Sequence, residues 1–223
     1  MNLGDHVGDD PTSVQANRDR LAHLLQAKPV FLKQVHGVHV QALDGHSAHG
    51  AVADAAITTQ HGLACTIMVA DCLPVLLTDA QGTCVGALHA GWRGLAHGVV
   101  HSTVQAMRQH TQDELLAWLG PCIGPKAFEV GAEVREAFAA NAWADVQRGF
   151  VNHTPGKYLA DLPQLMRGAL QTAGVTQIFG NDGSDAWCTV AQPSRFFSHR
   201  RDSAGSGGDI RSTGRMAACI WLA

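Results

Sequence analysis

LACTIMVADCLPVLLTDAQGTCVGALH, residues 63–89, is the stretch that decides the fold. It holds three strand-length apolar runs, Leu63 to Val69, Leu73 to Thr78 and Thr83 to His89. Pro74 and the hairpin-like turn Asp79-Ala80-Gln81-Gly82 punctuate them. Near-continuous apolar character predicts strands buried on both faces. Working outward, Thr12 to Ala27 reads as a helix with a cap and a proline at its start, and Val30 to Val35, Val38 to Leu43 and Asp54 to Thr59 read as strands. Downstream, Leu95 to His110, Val130 to Ala140 and Leu159 to Ala173 read as helices. Leu115 to Leu119, Val175 to Gly180, Arg195 to Arg200 and Met216 to Leu222 read as strands. The Gly/Ser-rich Ser203 to Thr213 reads as a mobile loop. The expectation is one α/β (α+β) domain over residues 1–223, with mixed β-sheets flanked by helices.

Composition narrows the class. Of the 223 residues 46% are hydrophobic and 16% charged, which supports a sizeable core. A net charge of -3 offers no electrostatic case for nucleic acid or an anionic membrane. No apolar run approaches the roughly 20 residues that span a bilayer. The first residues lack a signal peptide's basic and apolar regions, so a cytoplasmic location and reduced cysteines are expected. None of the six cysteines forms a CxxC pair. Cys65, Cys84 and Cys219 lie in apolar runs and read as small buried hydrophobes.

Three donors suggest chemistry. Cys72 and His89 each stand at a predicted strand end beside proline or glycine, and His36 waits upstream. A thiolate with two imidazoles suits Zn²⁺, with Cu²⁺ as the alternative. Three protein ligands leave a fourth position open, as catalytic zinc sites do, and zinc lowers the pKa of a bound water to about 7. Spacing alone does not single out this set, because His39, His46, His49 and His61 are equally available. A metal-free pairing, Cys72 as nucleophile and His89 as its base, fits the same residues. Asp71 is a candidate ligand-orienting group or general acid/base. Strand neighbours face opposite ways, so Asp71 joins the site only if the strand ends before it.

Read as words, KQVHG (33–37), ADCLPVLL (70–77), HAGWRG (89–94), GPCIGP (120–125), GKYLADL (156–162) and RFFSHRRD (195–202) resemble one family over nearly the whole chain. It is the laccase-domain family: multicopper polyphenol oxidoreductase-like proteins, also called peptidoglycan editing factor. The resemblance implies mixed sheets in a fold shared distantly with toxin deamidases. It implies a metal site of His36, Cys72 and His89. It also implies purine nucleoside phosphorylase activity on adenosine, inosine, guanosine or methylthioadenosine, with adenosine deamination. Copper-dependent polyphenol oxidation and editing of muramyl peptides are the family's other described activities. The implied partners are a nucleoside and phosphate, in a monomer or weak oligomer. Arg93, Lys157, Arg200 and Arg201 are the cations in the family motifs, hence candidate phosphate ligands. His199 stands where the family usually has tyrosine, which puts a fixed hydrogen-bond donor there in doubt. The start resembles a family segment normally preceded by another strand, so one N-terminal strand is expected to be missing.

Overall fold

The computed structural model describes residues 1–141, 143, 145–203 and 212–223. Helix α1 (Pro11–Leu25) opens on Asp10, whose carboxylate accepts the Ser13 N–H at 2.8 Å. Strands β1 (Lys28–Phe31), β2 (Val40–Ala42), β3 (Ala55–Thr58), β4 (Leu63–Val69), β5 (Leu73–Asp79) and β6 (Val85–Ala90) follow. Then come α2 (Trp92–Ala96), α3 (Val99–Met107), β7 (Leu115–Leu119), β8 (Glu129–Gly131), α4 (Ala132–Ala139), α5 (Val146–Gly149), β9 (Phe150–Asn152) and β10 (Lys157–Ala160). Helix α6 (Leu162–Thr172), β11 (Gln177–Gly180), the single turn α7 (His199–Asp202) and β12 (Met216–Trp221) close the chain.

The strands form a mixed six-stranded sheet, β11-β7-β5-β6-β3-β2, and two three-stranded sheets, β1-β4-β12 and β8-β10-β9. One face of the large sheet, with Leu73, Val75, Leu77 and Leu88, packs against Val99, Val104 and Met107 of α3 and Leu165 and Met166 of α6. Its other face, with Ala56, Leu76 and Ala87, meets Cys65, Ile67 and Val69 of β4. That sandwich explains the continuous apolar runs: alternate side chains of β5 and β6 enter different cores. Fully burying one such leucine contributes roughly 1.5–3 kcal/mol. The expected mixed α/β architecture is therefore present.

Several boundaries differ from expectation, for local reasons. Residues 195–200 form no strand, because the Ser198 hydroxyl accepts the Arg201 N–H at 3.1 Å and starts α7. The helix expected over 95–110 begins at Trp92 and breaks at Gly98, which has φ +97°. Residues expected to open two later helices instead form β8 and β10; α6 starts only at Leu162, after its Asp161 cap. Cys65 and Cys84 are buried, whereas Cys219 is only partly so. The loop expected over 203–213 lies, from 204 to 211, outside the described residues.

One connection matters most for the site. Strand β4 belongs to the small sheet and β5 to the large one. Ala70-Asp71-Cys72 carries the chain between them, with Asp71 at φ +90°. A non-glycine residue there is costly and holds only where its surroundings fix it.

A candidate metal centre at the junction of two sheets

Antiparallel pairing of β5 with β6 sets Leu73 opposite Ala90 and Pro74 opposite His89. Cys72, one residue before β5, is thereby brought beside His89. The third donor arrives on the loop after β1, where His36 takes φ +60°. Gly91 makes room for it: a Cβ at that position would lie 2.5 Å from His36 Cδ2 and 3.2 Å from Cys72 Sγ. A Cβ on Gly94 would lie 2.9 Å from the Gly37 carbonyl.

Asp54 organises this loop. Its fully buried carboxylate accepts the N–H groups of Val35 at 3.1 Å, His36 at 2.8 Å and Gly37 at 2.7 Å, and it meets His89 Nδ1 at 2.8 Å. Its carbonyl accepts the His89 N–H at 2.7 Å. Burial opposes ionisation of Asp54, but the His89 ring and the surrounding N–H groups outweigh it and hold the carboxyl below its ordinary value. Gln34 anchors the loop's other end, its side-chain amide making two 2.8 Å bonds to the Met68 backbone.

With Nδ1–H given to Asp54, His89 turns Nε2 towards the donor cluster. His36, Cys72 and His89 place their ligand atoms within 4.8 Å of one another. Zn–S of about 2.3 Å and Zn–N of about 2.0–2.1 Å at the tetrahedral angle separate S from N by about 3.6 Å. Cys72 Sγ lies 3.6 Å from His36 Nε2, so the spacing fits. Burial works against the Cys72 thiolate, yet the His89 and His36 rings prevail and lower its pKa to about 6. Burial likewise works against charge on His89, yet Cys72 and Asp54 prevail and raise it to about 9. His89 is buried, Cys72 half-buried and His36 exposed, so the donors open towards solvent on the His36 side.

They open into a cavity of about 930 Å³, within the range of about 300–1,000 Å³ usual for small-molecule sites. Asp71, Arg93, His199 and Arg200 line it. The strand does end before Asp71, which removes the objection of facing. Both Asp71 carboxylate oxygens are occupied, however: one accepts the Thr189 hydroxyl at 2.5 Å, the other the Arg200 N–H at 2.6 Å. Asp71 thus clamps α7 to the site. Arg93 stacks on Trp92 at 4.3 Å. Arg200 spends its guanidinium on the Ala127 and Glu129 carbonyls at 3.4 and 3.1 Å. His199 Nδ1 is 3.0 Å from the Ser203 hydroxyl.

The structure does not bring Lys157 or Arg201 into the cavity wall. Lys157 is exposed at the start of β10, and Arg201 is bound to the Thr189 and Phe196 carbonyls and to Asp202. Conversely, sequence reasoning missed Asp54 and Gln34, which hold the donor loop, and Arg18 and Arg215, which also line the cavity. Asp54, a lone carboxylate heading the apolar run Ala55-Ala56-Ile57, is the one with a readable signal.

The sequence profile of the family described as multi-copper polyphenol oxidoreductase laccase matches residues 1–223. "Purine nucleoside phosphorylase YfiH" of Escherichia coli (strain K12) is 49% identical, the match covering 100% of this chain and 86% of that one. "Purine nucleoside phosphorylase PA4543" of Pseudomonas aeruginosa is 48% identical, with the same coverage. Among solved structures, Neisseria meningitidis protein NMB0706 is similar with TM-score 0.87 and 40% identity, over 99% of this chain and 86% of that one.

Proposed function

The chain belongs to the multi-copper polyphenol oxidoreductase laccase family, and on that footing we propose that it is a metal-dependent purine nucleoside phosphorylase. Its substrates would be adenosine, inosine, guanosine or methylthioadenosine with inorganic phosphate, and deamination of adenosine would be a second activity. The reading is supported by the names of the relatives and carried by one observation: an open thiol–imidazole–imidazole set at the wall of a cavity large enough to admit a nucleoside with phosphate. We place the enzyme in the cytoplasm as one catalytic unit, and among the described residues no helix is long and apolar enough to cross a membrane.

His36, Cys72 and His89 would hold the metal, Zn²⁺ before Cu²⁺ by donor type. A bound ion would supply Lewis-acid polarisation of a substrate oxygen or nitrogen. Asp54 keeps the proton on His89 Nδ1 and leaves Nε2 free to bind. Trp92, Phe128, Ile123 and Leu162 give the cavity apolar walls that displace water from the base. In phosphorolysis one phosphate oxygen bonds to ribose C1′ as the C1′–N9 bond breaks. The bonding pair leaves with the purine, the phosphate proton ends on the base, and ribose 1-phosphate is released. In deamination water replaces the C6 amine and ammonia leaves.

Among the described residues this is the one such donor cluster, whereas four-electron oxidation by a multicopper enzyme needs several copper sites. Incubating zinc-loaded protein with adenosine, with and without phosphate, tests the proposal. Adenine with ribose 1-phosphate supports phosphorolysis and inosine supports deamination; neither product refutes both.

The Cys72–His89–Asp54 alignment favours a second reading, a cysteine hydrolase acting on muramyl peptides, in which Cys72 attacks, His89 carries the proton and Asp54 orients the ring. It requires activity that survives chelation and is abolished by alkylating Cys72.

A further inference from the structure

The cavity is more cationic than the chain. Arg18, Lys33, Arg93, Arg200 and Arg215 line it against Asp5 and Asp71, while the whole sequence carries a net charge of -3. Two of these cations, Arg18 and Arg200, are committed elsewhere, and Arg93 stacks on Trp92. Arg18 binds the Leu3 carbonyl at 2.9 Å and Asp5 at 3.2 Å and lies over Phe31. Arg200 is spent on two carbonyls.

Arg215 differs. Nη1 donates to the Thr213 carbonyl at 2.7 Å and, longer, to Gly214 at 3.3 Å. Nε and Nη2 make no hydrogen bond among the described residues. The backbone at this position is fixed: the Arg215 N–H donates to Asn2 Oδ1 at 2.8 Å, and the Leu3 N–H donates to the Arg215 carbonyl at 3.0 Å. Gly4 lets the N-terminal segment cross the side-chain stem, because a Cβ there would lie 2.8 Å from Arg215 Cγ. Burial lowers the Arg215 pKa, while the charges of Cys72 and Asp71 oppose that, so the guanidinium is within Coulombic reach of the donor cluster.

We propose that Arg215 is the principal anion ligand of the cavity and holds inorganic phosphate beside the donor cluster through Nε and Nη2. The side-by-side donors of a guanidinium match two oxygens of a tetrahedral oxyanion. A guanidinium already tethered through Nη1 to the Thr213 and Gly214 carbonyls avoids much of the cost of ordering a long side chain. This rests on the phosphorylase reading for the identity of the anion, but the site itself does not.

The test uses the full chain, zinc-loaded, titrated calorimetrically with inorganic phosphate and then assayed with inosine. Arg215→Met should weaken phosphate binding and raise the KM for phosphate by about tenfold or more, with a smaller change in the KM for inosine. Arg215→Lys, which keeps the charge but loses the paired donors, should fall between the two by about threefold. Unchanged phosphate binding in a folded Arg215→Met protein overturns the proposal. If Arg215→Met does not fold, unchanged binding in Arg215→Lys overturns it equally. Should wild type bind phosphate through Arg215 yet cleave no nucleoside, the phosphorylase reading falls and the anion site stands. Should wild type phosphorolyse inosine with no response to either substitution, the reverse holds.

Discussion

Asp54 Oδ1 lies 2.8 Å from His89 Nδ1, and the same carboxylate receives the N–H groups of Val35, His36 and Gly37. One buried carboxylate therefore sets the orientation of one imidazole and the backbone of the loop bearing the other.

Asp54→Ala should strip both. Removing one partner of a buried charged network costs about 3–5 kcal/mol, and losing a carboxylate behind a metal-bound histidine weakens metal binding by about 10–100-fold. Zinc competition with a chromogenic chelator and thermal melting check this. Wild-type affinity in a folded variant would refute it.

In metal-free protein Cys72 should be the cysteine alkylated at neutral pH. The thiolate is the reactive form, so its rate should rise as pH climbs through about 6. Burial pushes Cys84 and Cys219 up to about 11, and they should stay inert. Residue-resolved mass spectrometry after iodoacetamide reads the profile, and added zinc should suppress it. A midpoint near the ordinary thiol value would count against the thiolate pair.

Gly91→Ala forces a methyl against the His36 ring. The loop must retreat, so zinc occupancy should fall, with activity down by about tenfold or more, since donor positions tolerate little displacement. Metal content per chain measures it; a variant with full zinc and wild-type rates would disprove the tight fit.

Asp79 pins the β5–β6 turn, accepting the Thr83 N–H at 2.7 Å, the Thr83 hydroxyl at 2.5 Å and the Cys84 N–H at 3.0 Å. Burial opposes its ionisation, but these donors outweigh it and lower its pKa. A lowered carboxyl pKa stabilises the fold above the unfolded value of about 3.9 and loses that contribution as pH falls below it. Asp79→Asn should cost about 1.5–3 kcal/mol at neutral pH, and the gap to wild type should close in acid. Urea titrations at pH 7 and pH 3 decide it.

The three donors were readable because each sits in a distinctive local word, and for Cys72 and His89 the strand-end position follows from proline or glycine nearby. Asp54 escaped because its partners are 17 to 35 residues away in sequence. Such a separation leaves no local pattern. Residues 195–200 were misread for the opposite reason: Arg195-Phe196-Phe197 favours a strand, and one hydroxyl cap overrides it. Val130 and Leu159 satisfy a helical stripe and a short strand equally, so β8 and β10 were hidden. Lys157 and Arg201 share motifs with site residues but point their charges elsewhere. Arg215 precedes an apolar run, and nothing in its spacing ties it to the donors.

The Gln34 amide bound to Met68 has a mechanical consequence. Strand β1 accompanies β4 only from Leu63 to Thr66, and beyond that point the amide takes the place of a neighbouring strand. The His36 loop is thus tied to the small sheet through Gln34 and to the large sheet through Asp54. Cys72 sits where the chain passes between these layers, and His89 lies on the large one. An ion gripped by all three would act as a rivet through two plates, and any sliding of one sheet over the other would change the spacing of its donors.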